Sequence, residues 1–378
     1  MPHSTEMIFA AICAFAAISG GVAFAQSASD LATKPGYHDP ITPLPVCKAG
    51  LKPTPCQIGD PHSPLNDLPK PYRTERTWVE LPPAIKEWPA VTAVEPSPDG
   101  SIYVVERCNL NSCDGRSEPP ILHYDRNGKL LAAFGADMFL FPHGATVDPD
   151  GNLWVSDAAG KPGKGHQVFK FSPQGKVLMT LGQAGVAGGG TDTFNLPTDV
   201  AIAPNGDIYV ADGHRDTGNN RIVIFSKDGK FLRNFGQLGS APGDMHEPHS
   251  ITFDSQGRLF VADRVNNRIE IFTQQGKLLA VWYQFGRPSG IAITKDDTIY
   301  VADSEAGPDT GANEIGGWRK GIRIGSAKTG EVTSFIEDME PLRDDHSGAE
   351  GVGVDADGNV YGAVVRRRML ERHVKAQP

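Results

Sequence analysis

The chain has 378 residues with a formal net charge of −9, 21% charged and 39% hydrophobic residues, and five cysteines. That is long enough to bury a large core, and the mild acidity makes nucleic acid and anionic membrane surfaces poor partners. The sole basic cluster, Arg366, Arg367 and Arg368, reads as part of a solvated outer strand.

The first element is a leader. Ile8 to Ile18 is apolar but too short to span a bilayer, and Ala23-Phe24-Ala25 before Gln26 has the small-x-small form of a cleavage site. Residues 1–25 are therefore expected to be a signal peptide cleaved after Ala25, although its start lacks Lys and Arg. The protein is expected to be secreted or periplasmic, with no membrane span in the mature chain. Residues 26–70 follow as an extended, Pro-rich arm over the surface. Cys13 leaves with the leader, and local pairs Cys47–Cys56 and Cys108–Cys113 are the favoured pairing of the four cysteines that remain. The cysteines show no zinc or haem spacing.

Residues 71–378 repeat one pattern six times: PSPDGSIYVVE (96–106), VDPDGNLWVSD (147–157), IAPNGDIYVAD (202–212), FDSQGRLFVAD (253–263), ITKDDTIYVAD (293–303) and VDADGNVYGAV (354–364). The Asp-Gly and Asn-Gly pairs are hairpin turns, and the flanking runs are β-formers without helical period. Third and fourth strands follow, such as RIVIFS and FLRNFG. Four strands per unit and this spacing predict an all-β, six-bladed β-propeller. The last unit lacks a strand, and TWVELP (77–82) is the expected donor.

The dipeptides that open the innermost strands read Pro89-Ala90, Pro142-His143, Pro197-Thr198, Pro248-His249, Pro288-Ser289 and Ala349-Glu350 around the ring. Alternate blades thus carry His143, His249 and Glu350, which a six-fold ring would converge on its axis. Two imidazoles and a carboxylate suit Zn, with Fe or Mn as alternatives. Taken singly, each histidine would read as a turn residue bonded to backbone. His346, four residues before Glu350, competes for the third ligand place. A second ring follows the next strand: Glu106-Arg107, Asp157, Asp212 with His214, Asp263-Arg264 and Asp303. The repeated Asp is read as structural. Arg107 and Arg264 are candidate carboxylate binders, with ion pairs to neighbouring acids as the alternative.

The runs FPHGATVDPDGNLWVSD, LPTDVAIAP, VADG, EPHSITF and VADRVNNRI, spread over Phe141 to Phe272, resemble the NHL-repeat propeller of peptidyl-α-hydroxyglycine α-amidating lyases. In that family, three histidines from alternate blades hold zinc, and a carbinolamide is split into an amide and glyoxylate. The resemblance implies His143 and His249 as ligands, and Arg264 and Arg107 as residues that bind substrate. The family's third histidine aligns with Glu350, and its catalytic tyrosine falls at His214. An acidic calcium ligand of the family is Gly351 here, so calcium is not expected. The disulfides differ, and no monooxygenase domain is present.

The leading expectation is a metal-dependent lyase acting on a small-molecule or peptide substrate, with His214 moving protons. A metal-dependent lactonase or esterase is the alternative within enzymes. A non-catalytic NHL binding module is the alternative outside them.

Overall fold

The computed structural model describes residues 44–376, apart from 49, 84, 307–316 and 344. The expected leader and the first part of the arm lie outside the described residues. All regular elements among those described are strands, and no helix is long and apolar enough to cross a membrane.

The strands form six sheets. The arm contributes β1 (Cys56–Ile58), and β2 (Tyr72–Glu75) follows directly after it. Blade one is β3 (Val91–Pro96), β4 (Ile102–Glu106), β5 (Ile121–Tyr124) and β6 (Leu130–Phe134). Blade two is β7 (Pro142–Val147), β8 (Leu153–Lys161), β9 (Lys164–Phe171) and β10 (Val177–Leu181). Blade three is β11 (Pro197–Ile202), β12 (Ile208–Asp212), β13 (Arg221–Phe225) and β14 (Phe231–Phe235). Blade four is β15 (Pro248–Phe253), β16 (Leu259–Asp263), β17 (Arg268–Phe272) and β18 (Leu278–Trp282). Blade five is β19 (Gly290–Ile293), β20 (Thr298–Asp303), β21 (Gly321–Ser326) and β22 (Val332–Glu337). Blade six is β23 (Ala349–Val354), β24 (Val360–Val364) and β25 (Met369–Lys375), completed by β2.

Position within a blade explains the strand composition. Second strands such as β12 and β16 are buried at every residue, because neighbouring blades cover both faces. Outer strands β6 and β14 alternate between partly buried and exposed, as a strand with one wet face must. The core therefore lies in the seams. Tyr103, Phe139, Phe169 and Phe171 fill the seam between blades one and two. Phe260, Trp282 and Phe285 help fill that between blades four and five. The first hairpin turn of blade two needs Gly151 at φ +81°, and blade five places Asp297 at φ +65°. Asp297 is held there by bonds from Ser255 and an ion pair with Lys328 at 3.1 Å.

The repeated acid at the end of the second strand is a clasp. Asp263 Oδ1 accepts from His246 N, while its Oδ2 pairs with Arg268 Nε at 2.7 Å. The same guanidinium donates to the carbonyls of Ser240, Ala241 and Asp244. Asp212 and Arg221 repeat this, with the carbonyls of Gly189, Gly190 and Thr193. The Asn-Arg-Ile motif that opens β13 and β17 thus ties each blade to its preceding loop.

One expectation about closure is corrected. The strand that completes blade six is Tyr72–Glu75, antiparallel to β25 with Tyr72 opposite Lys375, and not 77–82. Trp78 instead packs on Tyr361 at 5.2 Å, and Glu80 N donates to Gly128 O, so this apolar stretch seals the seam between blades six and one. The arm is tied to the blades it crosses. β1 adds a fifth, parallel strand to β18, and Trp318, Arg323 and Phe335 bond to the backbone of Pro61, Leu65 and Pro69. The disulfides are Cys47–Cys56 and Cys108–Cys113, as expected.

Candidate functional site

The histidines of the Pro-His motifs reach the axis because their strands begin with a bulge. Pro142 pairs with Asp157 and Pro248 with Asp263, but the next pairs are Ala145 with Val155 and Ile251 with Val261. His143 and His249 stand in these register shifts, where an extra residue can re-aim its side chain. Blade six does the same between Ala349 and Gly351, which places Glu350. Blade one departs from the expected Pro89-Ala90: Val91 is the partner of Glu106, so Thr92 occupies the ring position. The proline suggested the earlier residue, whereas pairing with the end of strand two sets the register.

Even blades thus present His143, His249 and Glu350, and odd blades present Thr92, Thr198 and Ser289. Two of the odd-blade residues orient the histidines. His143 Nδ1 donates to Thr198 O at 2.9 Å, and His249 Nδ1 donates to Ser289 O at 2.9 Å. A carbonyl can only accept, so Nε2 of each ring carries the lone pair. Both Nε2 atoms are buried without a hydrogen-bond partner among the described residues. Glu350 Oε1 lies 3.4 Å from His143 Nε2, 3.9 Å from His249 Nε2 and 3.2 Å from Arg107 Nη2.

His214, on the loop after β12, joins this group. Its ring centroid is 4.9 Å from that of His143 and 5.6 Å from that of His249, and its Nδ1 is a buried orphan. The three imidazoles offer ligand atoms that all lie within 4.8 Å of one another. His346 is elsewhere: its Nδ1 bonds Glu340 in the loop before blade six.

Burial, followed by the charges of neighbouring cations, pushes all three imidazoles well below their ordinary range. They are neutral at pH 7 and present lone pairs. In the unfolded chain the same histidines bind protons below about pH 6.5, so falling pH favours unfolding through them. Metal-free wild type should therefore lose stability relative to a His143→Gln/His249→Gln double variant as pH falls from 7.5 to 5. Melting temperatures of the two proteins across that range check this, and parallel curves would show that these rings titrate freely in the fold.

Both predicted arginines lie beside this group, and both already pair with acids of the chain. Arg107 spends Nε on Pro142 O, Nη1 on Asn111 Oδ1 and Nη2 on Glu350, with its guanidinium 3.6 Å from the Phe141 ring centroid. Asn111 is held in the loop that the Cys108–Cys113 disulfide closes. Burial lowers the Arg107 pKa to about 10, which leaves it charged at neutral pH. Arg264 binds Glu247 Oε2 through Nε and Nη2, and Nη1 is 3.7 Å from Glu305. Burial opposes the charge on Arg264, but Glu305, Glu247 and Glu350 outweigh it and hold its pKa above the usual value. Sequence reasoning missed Phe141, Glu247 and Glu305. The first two stand directly before the Pro-His motifs, so reading one residue further upstream would have found them.

Beyond the ring, the axis opens into a channel of about 810 Å³ that His143, His249 and Glu350 border at one end. Gly351 faces Thr92, and a Cβ there would meet Thr92 O at 2.5 Å. An acidic side chain does not fit at that position, so the calcium ligand of the resembled family has no counterpart there.

The NHL repeat model matches residues 139–171, 194–225, 245–272 and 285–307. The chain is an NHL-repeat β-propeller. It is related in sequence to the amidating lyases: it is 31% identical over 211 residues to peptidyl-α-hydroxyglycine α-amidating lyase 2 of Drosophila melanogaster, covering 49% of this chain and 50% of the fly protein. It is also 43% identical over 155 residues to peptidyl-glycine α-amidating monooxygenase B of Xenopus laevis, covering 39% of this chain and 17% of the frog protein. The propeller thus spans half or less of the length of these relatives. A gluconolactonase from Xanthomonas campestris shares the fold at 14% identity, with a TM-score of 0.54 over 80% of this chain and 89% of that one.

Proposed function

We propose that this propeller is a secreted or periplasmic, metal-dependent lyase that cleaves the C–N bond of an α-hydroxyglycine-type amide. The observation that carries the reading is the pair of buried, unpartnered Nε2 atoms of His143 and His249 facing Glu350. Ligands at about 2.0–2.2 Å from zinc stand roughly 3.3–3.5 Å apart in a tetrahedron. The 3.4 and 3.9 Å from Glu350 Oε1 to the two imidazoles are near that spacing. We assign His143, His249 and Glu350 as the residues that hold a divalent metal, zinc first and Fe or Mn as alternatives. Bound there, the metal would supply Lewis acidity toward the substrate hydroxyl. The two disulfides fit an oxidising compartment.

The protein groups do the remaining work. Cleavage converts the carbinol O–H to a carbonyl, breaks the C–N bond and returns a proton to the amide nitrogen, with no net redox change. His214 is neutral and presents a free Nδ1 beside the other two rings, so it is placed to take the hydroxyl proton and deliver it to nitrogen. Arg107 holds Glu350 in place through its Nη2.

The test is glyoxylate release from α-hydroxyhippurate, with elemental analysis of the protein. Glu350→Gln is expected to lose metal. His214→Ala should keep metal and lose turnover by ~10²–10⁴-fold, the span of a general acid or base. His346→Ala should match wild type. Retained metal in Glu350→Gln with loss in His214→Ala would make His214 the third ligand. Turnover of lactones or aryl esters without glyoxylate release would replace the lyase by a hydrolase.

A further inference from the structure

Arg107, Arg264 and Arg215 bear on the imidazoles, and the first two are held by carboxylates. Arg107 pairs with Glu350, Arg264 with Glu247, and Arg287 with Glu305 at 3.3 Å. Arg215 differs from these. Its side chain is exposed and has no carboxylate partner among the described residues; its guanidinium lies 5.9 Å from the Phe141 ring centroid. Neighbouring Asp216 is turned to His246, at 2.8 Å.

The loop that presents Arg215 is tied down at both ends. His214 N donates to Leu196 O, and Gly218 N donates to Arg215 O, with Arg215 itself at φ +64°. Asn195 Nδ2 donates to Thr217 O, and Asn219 Nδ2 to Asp212 Oδ2. The guanidinium thus hangs from a braced turn, directly after the proton-carrying histidine and above an aromatic floor. Its charge reaches inward, since it lowers the basicity of both His214 and Arg107.

We infer that Arg215 is the anion-recognition residue of this site, binding the carboxylate of the substrate at the mouth beside His214. A planar guanidinium free of protein acids suits a bidentate carboxylate. Arg107 and Arg264 would first have to give up Glu350 and Glu247. This assignment names the substrate's charged handle and rests on the lyase reading for what lies next to that handle.

Calorimetric binding of two unreactive probes, hippurate and its neutral amide, tests it at fixed ionic strength. Wild type should prefer hippurate by ~10-fold or more, as a charge-assisted contact implies. Arg215→Gln should abolish the preference, and Arg215→Lys should restore part of it. Arg215 is exposed, and among the described residues it bonds through its backbone and its ring contact, so the variants should melt with wild type. Equal binding of the probes, absence of hippurate binding, or a preference that survives Arg215→Gln overturns the assignment. An Arg215-dependent preference without glyoxylate release would leave the anion site standing and remove the lyase. Glyoxylate release with an unchanged KM in Arg215→Gln would do the reverse.

Discussion

His143→Ala and His249→Ala are each expected to lower metal affinity by more than ~100-fold and to remove lyase turnover, while the propeller stays folded. The lower bound follows from outer-shell substitutions, which already cost 10–100-fold, whereas these remove a ligand itself. The fold should tolerate the change because blades are stabilised by their own sheets and by the seams with their neighbours. Each imidazole makes one backbone hydrogen bond, to Thr198 O or Ser289 O, and its inner nitrogen has no hydrogen-bond partner to lose among the described residues. Elemental analysis, circular dichroism and glyoxylate assay on the same preparations check this. Full metal content in both variants would remove the metal site, and with it the proposed chemistry.

The second large effect is on stability. Arg268 is fully buried, spans Asp263 and Glu270, and donates to three carbonyls of the preceding loop. Arg268→Met should leave two buried carboxyl groups without their cation and cost ~3–5 kcal/mol, the range for breaking a buried pair. At a few degrees per kcal/mol, the melting temperature should drop by roughly 5–15 °C. The loss should deepen with pH. Burial already pushes Glu270 up to about 8, and without Arg268 both carboxyls hold their protons more strongly in the fold. A raised folded pKa gives stability at low pH that is lost as pH rises through it. Melting at pH 5 and pH 8 measures this. Arg343→Ala, an exposed ion pair, is the control and should shift stability by less than ~0.5 kcal/mol. A similar, small effect in both variants would show that the clasp does not hold the blade.

Local patterns carried much of the fold. Turn residues, β-forming runs and the alternating ring of His143, His249 and Glu350 were legible because each depends on nearby residues and a fixed repeat. Cys47–Cys56 and Cys108–Cys113 were legible for the same reason, since each closes a short loop. TWVELP misled because it has the apolar look of a strand. It spends that surface on a seam, while the less hydrophobic YRTE pairs with β25 nearly 300 residues away.

By itself the sequence determined the six-fold repeat, the hairpin turns and the residue types that head the innermost strands of blades two, four and six. These follow from side-chain period and turn chemistry, which act over a few residues. Tertiary structure alone decided the register of blade one at Thr92 and the strand that closes the ring. It also decided which acids neutralise Arg107 and Arg264 and leave Arg215 without a carboxylate among the described residues. Ion pairs at the axis join different blades, such as Arg107 after β4 with Glu350 on β23, 243 residues apart. No local pattern encodes such a meeting, because only closure of the ring brings those chain segments together.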